Sequence, residues 1–271
     1  MFYPVSYTAK LFRKYLLSRS HPSKIRIQNF IGKYLFYNGI VVKDEYNCIF
    51  KLSPNDWISR MILIDNGYEH SSLKLVKDIL KNGGAFIDIG ANFGLYTCAV
   101  SENKTVKVYA VEPNYMVVPQ LMNNVQLNKR NNITILNTAL SDRFQFASFN
   151  LPHPQNLGSA SFNTGNKSPF SVLSCSLNFI FQSQGIQQAE LIKIDIEGNE
   201  FEVLKDFSFD IYPVKNILLE FNDLSGQSFE KLNNFFTEKG FLVKDINGQQ
   251  LNSRITHVPE NNLWLVNTNY L

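Results

Sequence analysis

Glycine spacing, and the acids around it, set the first chemical constraint on this chain. In Phe86-Ile-Asp-Ile-Gly-Ala-Asn-Phe-Gly-Leu-Tyr96 an apolar run carries Asp88, then passes through Gly90 and Gly94 before helical periodicity begins. Glycine permits the positive φ angles and close main-chain approach that a bound ligand demands, and the start of a helix offers free N–H groups to an anion. The loop reads G-x-N-x-G and not the G-x-G-x-x-G of dinucleotide sites. An acid at the strand end would repel a pyrophosphate but suits an ammonium group. The amino-acid end of S-adenosylmethionine carries both an ammonium and a carboxylate, which matches this loop better than a purely structural turn does. Glu112 closes the next apolar run, Val108-Tyr-Ala-Val-Glu-Pro113, 24 residues after Asp88. A carboxylate there can accept both ribose hydroxyls of an adenosine.

Three further strand ends hold candidates. Ile133 to Leu136 leads into Asn137-Thr-Ala-Leu-Ser-Asp142, placed to flank an adenine or to form an ordinary exit turn. Leu191-Ile-Lys-Ile-Asp-Ile-Glu-Gly-Asn-Glu200 presents Asp195 and Glu197 before a turn at Gly198. Carboxylates there could stabilise a methyl sulfonium, orient a hydroxyl or accept its proton; capping the next helix is the alternative. Glu220, Asn222 and Asp223 follow the fifth run. Asp195, Glu220 and Asn222 offer oxygen ligands for a divalent cation, although no metal is expected. Glu69, before a predicted helix, faces a pocket mouth or caps that helix. His153 is the one histidine considered as a base, with a surface-loop role as its alternative.

The elements that must position these residues follow from periodicity. Apolar runs at 85–89, 106–111, 133–136, 191–194, 217–221, 241–243 and 263–266 alternate with helical segments at about 94–102, 115–129, 199–206 and 227–239. Strands interleaved with helices predict an α/β domain over 84–271 built on a mainly parallel, doubly wound sheet of seven strands. Ligands bind such sheets outside the carboxyl ends of the strands, where the acids above lie. Residues 141–185, rich in Ser, Asn, Phe and Pro, interrupt the alternation as an insertion expected to cover the site or bind substrate. Residues 1–83 read as an N-terminal extension with a basic helix, a hairpin from the runs 34–42 and 47–52, and helices from Pro54 to about Ile64 and from Ser71 to Lys81.

Composition narrows the setting. Cys48, Cys98 and Cys175 are odd in number and far apart, which argues against a disulfide framework or a zinc site and points to a cytoplasmic location. No run reaches the roughly 18 apolar residues of a membrane span, and the start lacks the pattern of a secretory signal. The net charge of +3 is uneven: residues 1–33 hold seven basic residues and no acid, so the remainder carries −4. Ala9, Leu11, Phe12, Tyr15 and Leu16 share one predicted helix face opposite Lys10, Arg13 and Lys14. That helix docks on its own domain, or else lies on an anionic membrane or touches nucleic acid.

Taken together, "FIDIGANFGLYT" (86–97), "VYAVEPN" (108–114), "LMNNVQLNKRNNITILNTALSD" (121–142) and "LIKIDIEGNEFEVLKDF" (191–207) resemble the FkbM family of S-adenosylmethionine-dependent methyltransferases. The resemblance covers about 65–225, including Gly67-Tyr-Glu69, and its most specific element is I-D-x-E-G-x-E. It implies a Rossmann-like, seven-stranded class I methyltransferase fold. It also implies S-adenosylmethionine held by Asp88, Gly90, Asn92, Gly94 and Glu112, with Asp195 and Glu197 at the transfer centre. Beside these, Thr97, Asn137 and Ala139 are expected cofactor contacts, Glu220 an expected member of the catalytic set, and Glu69 and His153 expected substrate-side residues. Ser176-Leu-Asn178 stands where members usually carry Thr-Leu-Asp, and Glu220-Phe-Asn replaces Glu-x-His. The family is associated with O-methylation, so the expected acceptor is a hydroxyl of a sugar, glycan or other natural product. An RNA-modifying methyltransferase is the runner-up, because Glu112-Pro-Asn-Tyr with Leu121-x-x-Asn124 and Asn128 is similar to tRNA guanine methyltransferases. A non-catalytic or membrane-surface module is a third reading. Nucleic acid is not an expected partner, while peripheral membrane contact through 1–33 and a homodimer stay open.

Overall fold

Short apolar segments with amphipathic helices pack here into one layered α/β body. The computed structural model describes residues 2–54, 56–64, 68–150, 161–162, 171–196, 198–221, 228–251 and 258–270. The chain opens with β1 (Tyr3–Pro4), α1 (Tyr7–Leu16) and α2 (Lys24–Tyr34), so the basic segment forms two helices instead of the one expected. Ser6 caps α1 by accepting the Ala9 N–H at 3.1 Å. Ala9, Phe12 and Leu16 are buried, whereas Leu11 stays half exposed. Docking on the domain therefore accounts for the inner face of α1. The hairpin joins β2 (Ile40–Lys43) to β3 (Ile49–Leu52), antiparallel, with β1 on its outer edge. Residues 34–39, read as strand, finish α2 and turn instead at Gly39, whose φ is +84°. Helices α3 (Trp57–Ile64) and α4 (His70–Ile79) complete the extension.

The main sheet contains β4 (Gly84–Ile89), β5 (Val106–Val111) and β6 (Ile133–Leu136), linked by α5 (Leu95–Val100) and α6 (Val118–Leu127). From the insertion come β7 (Ala139–Leu140), β8 (Gln145–Asn150), β9 (Ser161–Phe162) and β10 (Ser171–Cys175), which make a separate small sheet in the order β7-β10-β8-β9. Helix α7 (Leu177–Gln184) then leads to β11 (Ala189–Ile194), α8 (Glu200–Lys205), β12 (Val214–Glu220), α9 (Phe229–Glu238), β13 (Phe241–Asp245) and β14 (Asn262–Asn267). The seven strands run β13-β14-β12-β11-β4-β5-β6, and only the pairings of β14 are antiparallel. This is the expected Rossmann-like α/β architecture. Helix α7 lies within the segment read as insertion, since its eight residues, LNFIFQSQ, are short and end in a polar run. Its Leu177, Ile180 and Phe181 are nevertheless core residues.

One hydrophobic cluster runs through the point where the extension meets the sheet. Phe50, Leu52, Ile62, Leu73 and Val76 share it with Phe86, Phe93, Tyr96 and Val108. The edge of β3 is also closed by amides. Asn128 accepts the Ile49 N–H and donates to the Ile49 carbonyl, at 2.8 and 2.7 Å. Asn124 accepts the Lys51 N–H and donates to the Phe93 carbonyl, both at 2.8 Å. The three cysteines are buried free thiols, and burial pushes Cys48 up to about 11.

Candidate active site

The ends of β4, β5, β11 and β12 carry the polar groups of the cleft, and each is held by identifiable bonds. Asp88 is buried on β4. Its Oδ2 accepts the Thr97 N–H at 3.0 Å and the Thr97 hydroxyl at 2.6 Å, while its Oδ1 is buried without a partner. Burial raises the Asp88 pKa against the pull of the Lys193 ammonium and of Thr97. Thr97 is itself fully buried and spends both donors on Asp88. In the structure Thr97 holds Asp88 in place at the start of the loop.

Gly90 and Gly94 adopt φ of +78° and +92°. A Cβ on Gly90 would lie 1.9 Å from the Asp195 carbonyl oxygen, and one on Gly94 2.6 Å from Leu121 Cδ1. The loop after β4 thus presses on the end of β11, and the Asp195 N–H donates to Ile89 O at 3.1 Å. Asn92 also sits in the left-handed region, at φ +50°, a conformation that costs a non-glycine residue about 1–3 kcal/mol and concentrates at functional sites. Its N–H donates to Glu112 Oε2, and the Asn114 N–H donates to Oε1, both at 2.8 Å. Burial pushes Glu112 up to about 7 despite those two bonds. Asn137 fastens the exit of β5 by donating to the Glu112 and Pro113 carbonyls at 2.8 and 3.2 Å. Ala139 is buried and pairs with Ser174 in the small sheet.

A group read only as part of an apolar run organises the other half. Lys193, on β11, is buried, with its ammonium 3.2 Å from Asp195 Oδ2 and 5.0 Å from the Tyr96 ring centroid. Burial alone would lower its pKa; the negative charges of Asp195, Asp88 and Glu69 outweigh that and raise it. Burial would likewise raise Asp195. The Lys193 ammonium and a hydrogen bond with Glu220 outweigh it and hold the Asp195 carboxyl below its usual value. Glu69 joins this group with its pKa raised by burial, beside the Tyr96 and Tyr68 hydroxyls. Its backbone is left-handed, φ +49°, and its side chain makes no bond to the helix it precedes. The capping alternative falls, because the Glu260 carboxylate caps α4, accepting from the Ser71 and Ser72 N–H groups at 3.1 and 2.9 Å.

Capping is also absent from the role of Asp195. Glu200, the first residue of α8, instead braces the turn before the helix, accepting the Ile196 and Gly198 N–H groups at 2.9 and 3.0 Å. Glu197, Asn222 and His153 lie outside the described residues. Among the described residues no three His, Cys, Asp or Glu side chains form a metal-binding group. The positive charge beside Asp195 comes from Lys193. A cavity of about 570 Å³ opens between the insertion (Ser141, Gln145, Phe146, Ser148) and helix α8 with the residue before it (Glu202, Asn199); Asp195 and Lys193 do not line it.

Compared with known families, residues 88–243, more than half of the chain, match the family model described as Methyltransferase FkbM domain. No curated protein matches. Similar solved structures include precorrin-6y C5,15-methyltransferase from Geobacter metallireducens, at 12% identity and TM-score 0.42 over 72% of this chain and 85% of that one. TYW2 of M. jannaschii, in complex with AdoMet, is similar at 15% and 0.41 over 83% and 82%. The ribosomal protein L11 methylase of Lactobacillus delbrueckii subsp. bulgaricus follows at 12% and 0.40 over 74% and 78%.

Proposed function

The chain belongs to the FkbM methyltransferase family, and from that premise we propose that it moves the methyl group of S-adenosylmethionine onto a hydroxyl of a sugar, glycan or other natural product. The observation that carries this reading is the pairing of two carboxyls in opposite electrostatic states around the buried Lys193 ammonium. Asp195 is held ionised by Lys193, and Glu69 is pushed up by burial. An anion beside the sulfonium favours binding of the cation and can accept the hydroxyl hydrogen bond. The more basic Glu69 is better matched to taking the proton as the C–O bond forms. The remaining acceleration comes from aligning oxygen, methyl carbon and sulfur. Glu220 supports Asp195, and no step needs a metal.

The donor fits the residues present. Asp88 Oδ1, buried and unpaired, is an acceptor for the ammonium. The Glu112 carboxylate is oriented by two N–H groups for the ribose hydroxyls, and Asn137 and the main chain around Ala139 face the adenine. Gly90, Asn92 and Gly94 shape the loop that lets the ligand approach. Residues 141–185 supply acceptor contacts from the side of the cavity, where Phe146 and neighbouring Ser and Gln side chains suit a saccharide. Residues 1–83 serve as an extension built into the 84–271 domain. Asn124 and Asn128, two of the residues behind the likeness to tRNA methyltransferases, are spent on the edge of β3, and this weakens the case for an RNA acceptor.

The test is methyl transfer from isotopically labelled S-adenosylmethionine to a panel of glycans and glycosylated natural products, with the methyl placed by tandem mass spectrometry. Labelled O-methyl ether is expected, and Asp195→Asn should lower its formation by about 10² or more. Label found only in bulk tRNA, or on nitrogen or carbon, would sink the reading.

Binding should depend on pH through Glu112. Ribose hydroxyls donate to its ionised form, so affinity for S-adenosylhomocysteine should rise with pH through about 7 and then level off. Glu112→Gln should flatten that profile and weaken binding by about tenfold or more. In the ligand-free protein the sign is opposite. A carboxyl raised from 4.5 to about 7 contributes stability fully present below 4.5 and lost as pH rises through 7. Calorimetric titration at several pH values checks the first effect, and an affinity independent of pH would refute the assignment.

A further inference from the structure

Helix α2 is turned the wrong way round for a helix of a globular protein. Helices normally bury an apolar stripe and expose the polar one. Here Ile27, Phe30 and Tyr34, spaced i, i+3 and i+7 and so lying on one stripe, face outward at 39, 62 and 57% exposure. Gly32 is the only buried residue of the helix; Ile31 packs half-buried against the core, and Asn29 accepts from Arg60 at 2.5 Å. Exposed Leu35, just past the helix end, extends the outward surface at 70%. The Phe30 and Tyr34 rings lie 4.8 Å apart, with the Lys33 ammonium 5.2 Å from the Tyr34 centroid. Arg26 and Lys33, both exposed, flank the stripe.

Helix α1 buries its own apolar stripe but adds further exposed apolar and basic side chains. The outer side of α1 presents Tyr7, Lys10, Leu11 and Lys14, and Leu17 follows at its end. No acid occurs in residues 1–33, against seven bases, while the rest of the chain is net negative. Among the described residues no helix is long and apolar enough to cross a membrane.

We propose that this surface is a docking site for an anionic phospholipid bilayer, with α2 lying in the plane of the interface. An amphipathic helix with aromatic and aliphatic side chains beside basic ones buries the former among the acyl-chain boundary and sets the latter against phosphate head groups. Lysine and arginine near such a surface each strengthen attachment, and the uneven charge orients the molecule with residues 1–33 toward it. RNA fits less well, since Ile27 and Leu35 have no flat face on which a base can stack. A second copy pairing through the same face would bring like charges together with no acid in the segment to offset them.

The test is cosedimentation of the full chain with vesicles of phosphatidylglycerol and phosphatidylcholine and with vesicles of phosphatidylcholine alone. Binding is expected to the mixed vesicles and to weaken with salt. Phe30→Ser with Tyr34→Ser should reduce it by about tenfold or more, and Arg26→Gln or Lys33→Gln by about fivefold each. These positions are exposed, so unchanged circular dichroism and affinity for S-adenosylhomocysteine are expected of every variant. Equal binding to neutral vesicles, no binding to either, or full retention by the Phe30/Tyr34 variant would overturn the proposal. So would a dimer, seen by light scattering, that Phe30→Ser abolishes while vesicles go unbound, or tRNA binding with the same sensitivity to those substitutions.

Discussion

Lys193→Met is expected to cost about 3–5 kcal/mol of folding stability, the range for removing one partner of a buried charged group. The side chain is buried, and three carboxyls, Asp195, Asp88 and Glu69, share its field. Methionine keeps the volume and removes the charge, which leaves those acids without a counter-ion. The loss should depend on pH. In the native protein Asp195 is held below its usual value, so it contributes stability that is present at neutral pH and lost as pH falls through that depressed value. Without the ammonium its pKa rises, and the acids can take up protons instead of remaining charged. The deficit should therefore be largest near pH 8 and shrink toward pH 5. Urea unfolding followed by tryptophan fluorescence measures this directly. A variant as stable as the native protein at both pH values would show that Lys193 does not neutralise the cluster.

Gly90→Ala should be the most damaging small substitution in the cofactor loop. A left-handed φ of +78° costs an L-residue about 1–2 kcal/mol, and the added methyl would stand 1.9 Å from the Asp195 carbonyl oxygen. The obstacle is main chain, fixed by the Asp195 N–H bond to Ile89 O, so no side-chain rotation relieves it. Either β11 moves away from β4 or the loop opens. Both routes disturb the groups proposed to hold the donor together with the carboxyl proposed to meet the acceptor. An affinity loss for S-adenosylhomocysteine of at least about a hundredfold is expected, with a lowered melting temperature. A folded variant with native affinity would refute the close approach of the two strand ends.

Most of the architecture was legible because each strand of the main sheet is a short apolar run bounded by a turn, and because the crossover helices keep their periodicity. The loop from Asp88 to Gly94 and the acid at Glu112 were legible for the same reason: their spacing is local. What escaped depends on distance along the chain. Asn124 and Asn128 bond residues more than 70 positions away, and a sequence motif gave them a different meaning. Glu260 caps a helix nearly 190 positions earlier. Thr97 lies one helical turn beyond Gly94, inside the motif, and only the packing of α5 shows that it serves Asp88. Lys193 did leave a signal. A lysine in the middle of a central parallel strand, covered on both faces, has to find partners, and the acids on either side of it were the ones to look for. Helix α7 gave too weak an apolar pattern to be separated from the insertion before it.

The side chain of Asn124 has a bearing on where this protein can be divided. One end of its amide holds the Lys51 N–H and the other holds the Phe93 carbonyl, so a single planar group spans the hairpin and the loop between Gly90 and Gly94. The boundary near residue 83 is a change in pattern and not a seam. A fragment beginning there would lose the partner of that amide, open the Phe50–Phe93 ring contact and expose one wall of the shared core. The catalytic half is therefore not a portable module, and shuffling or fusion has to carry the hairpin with it.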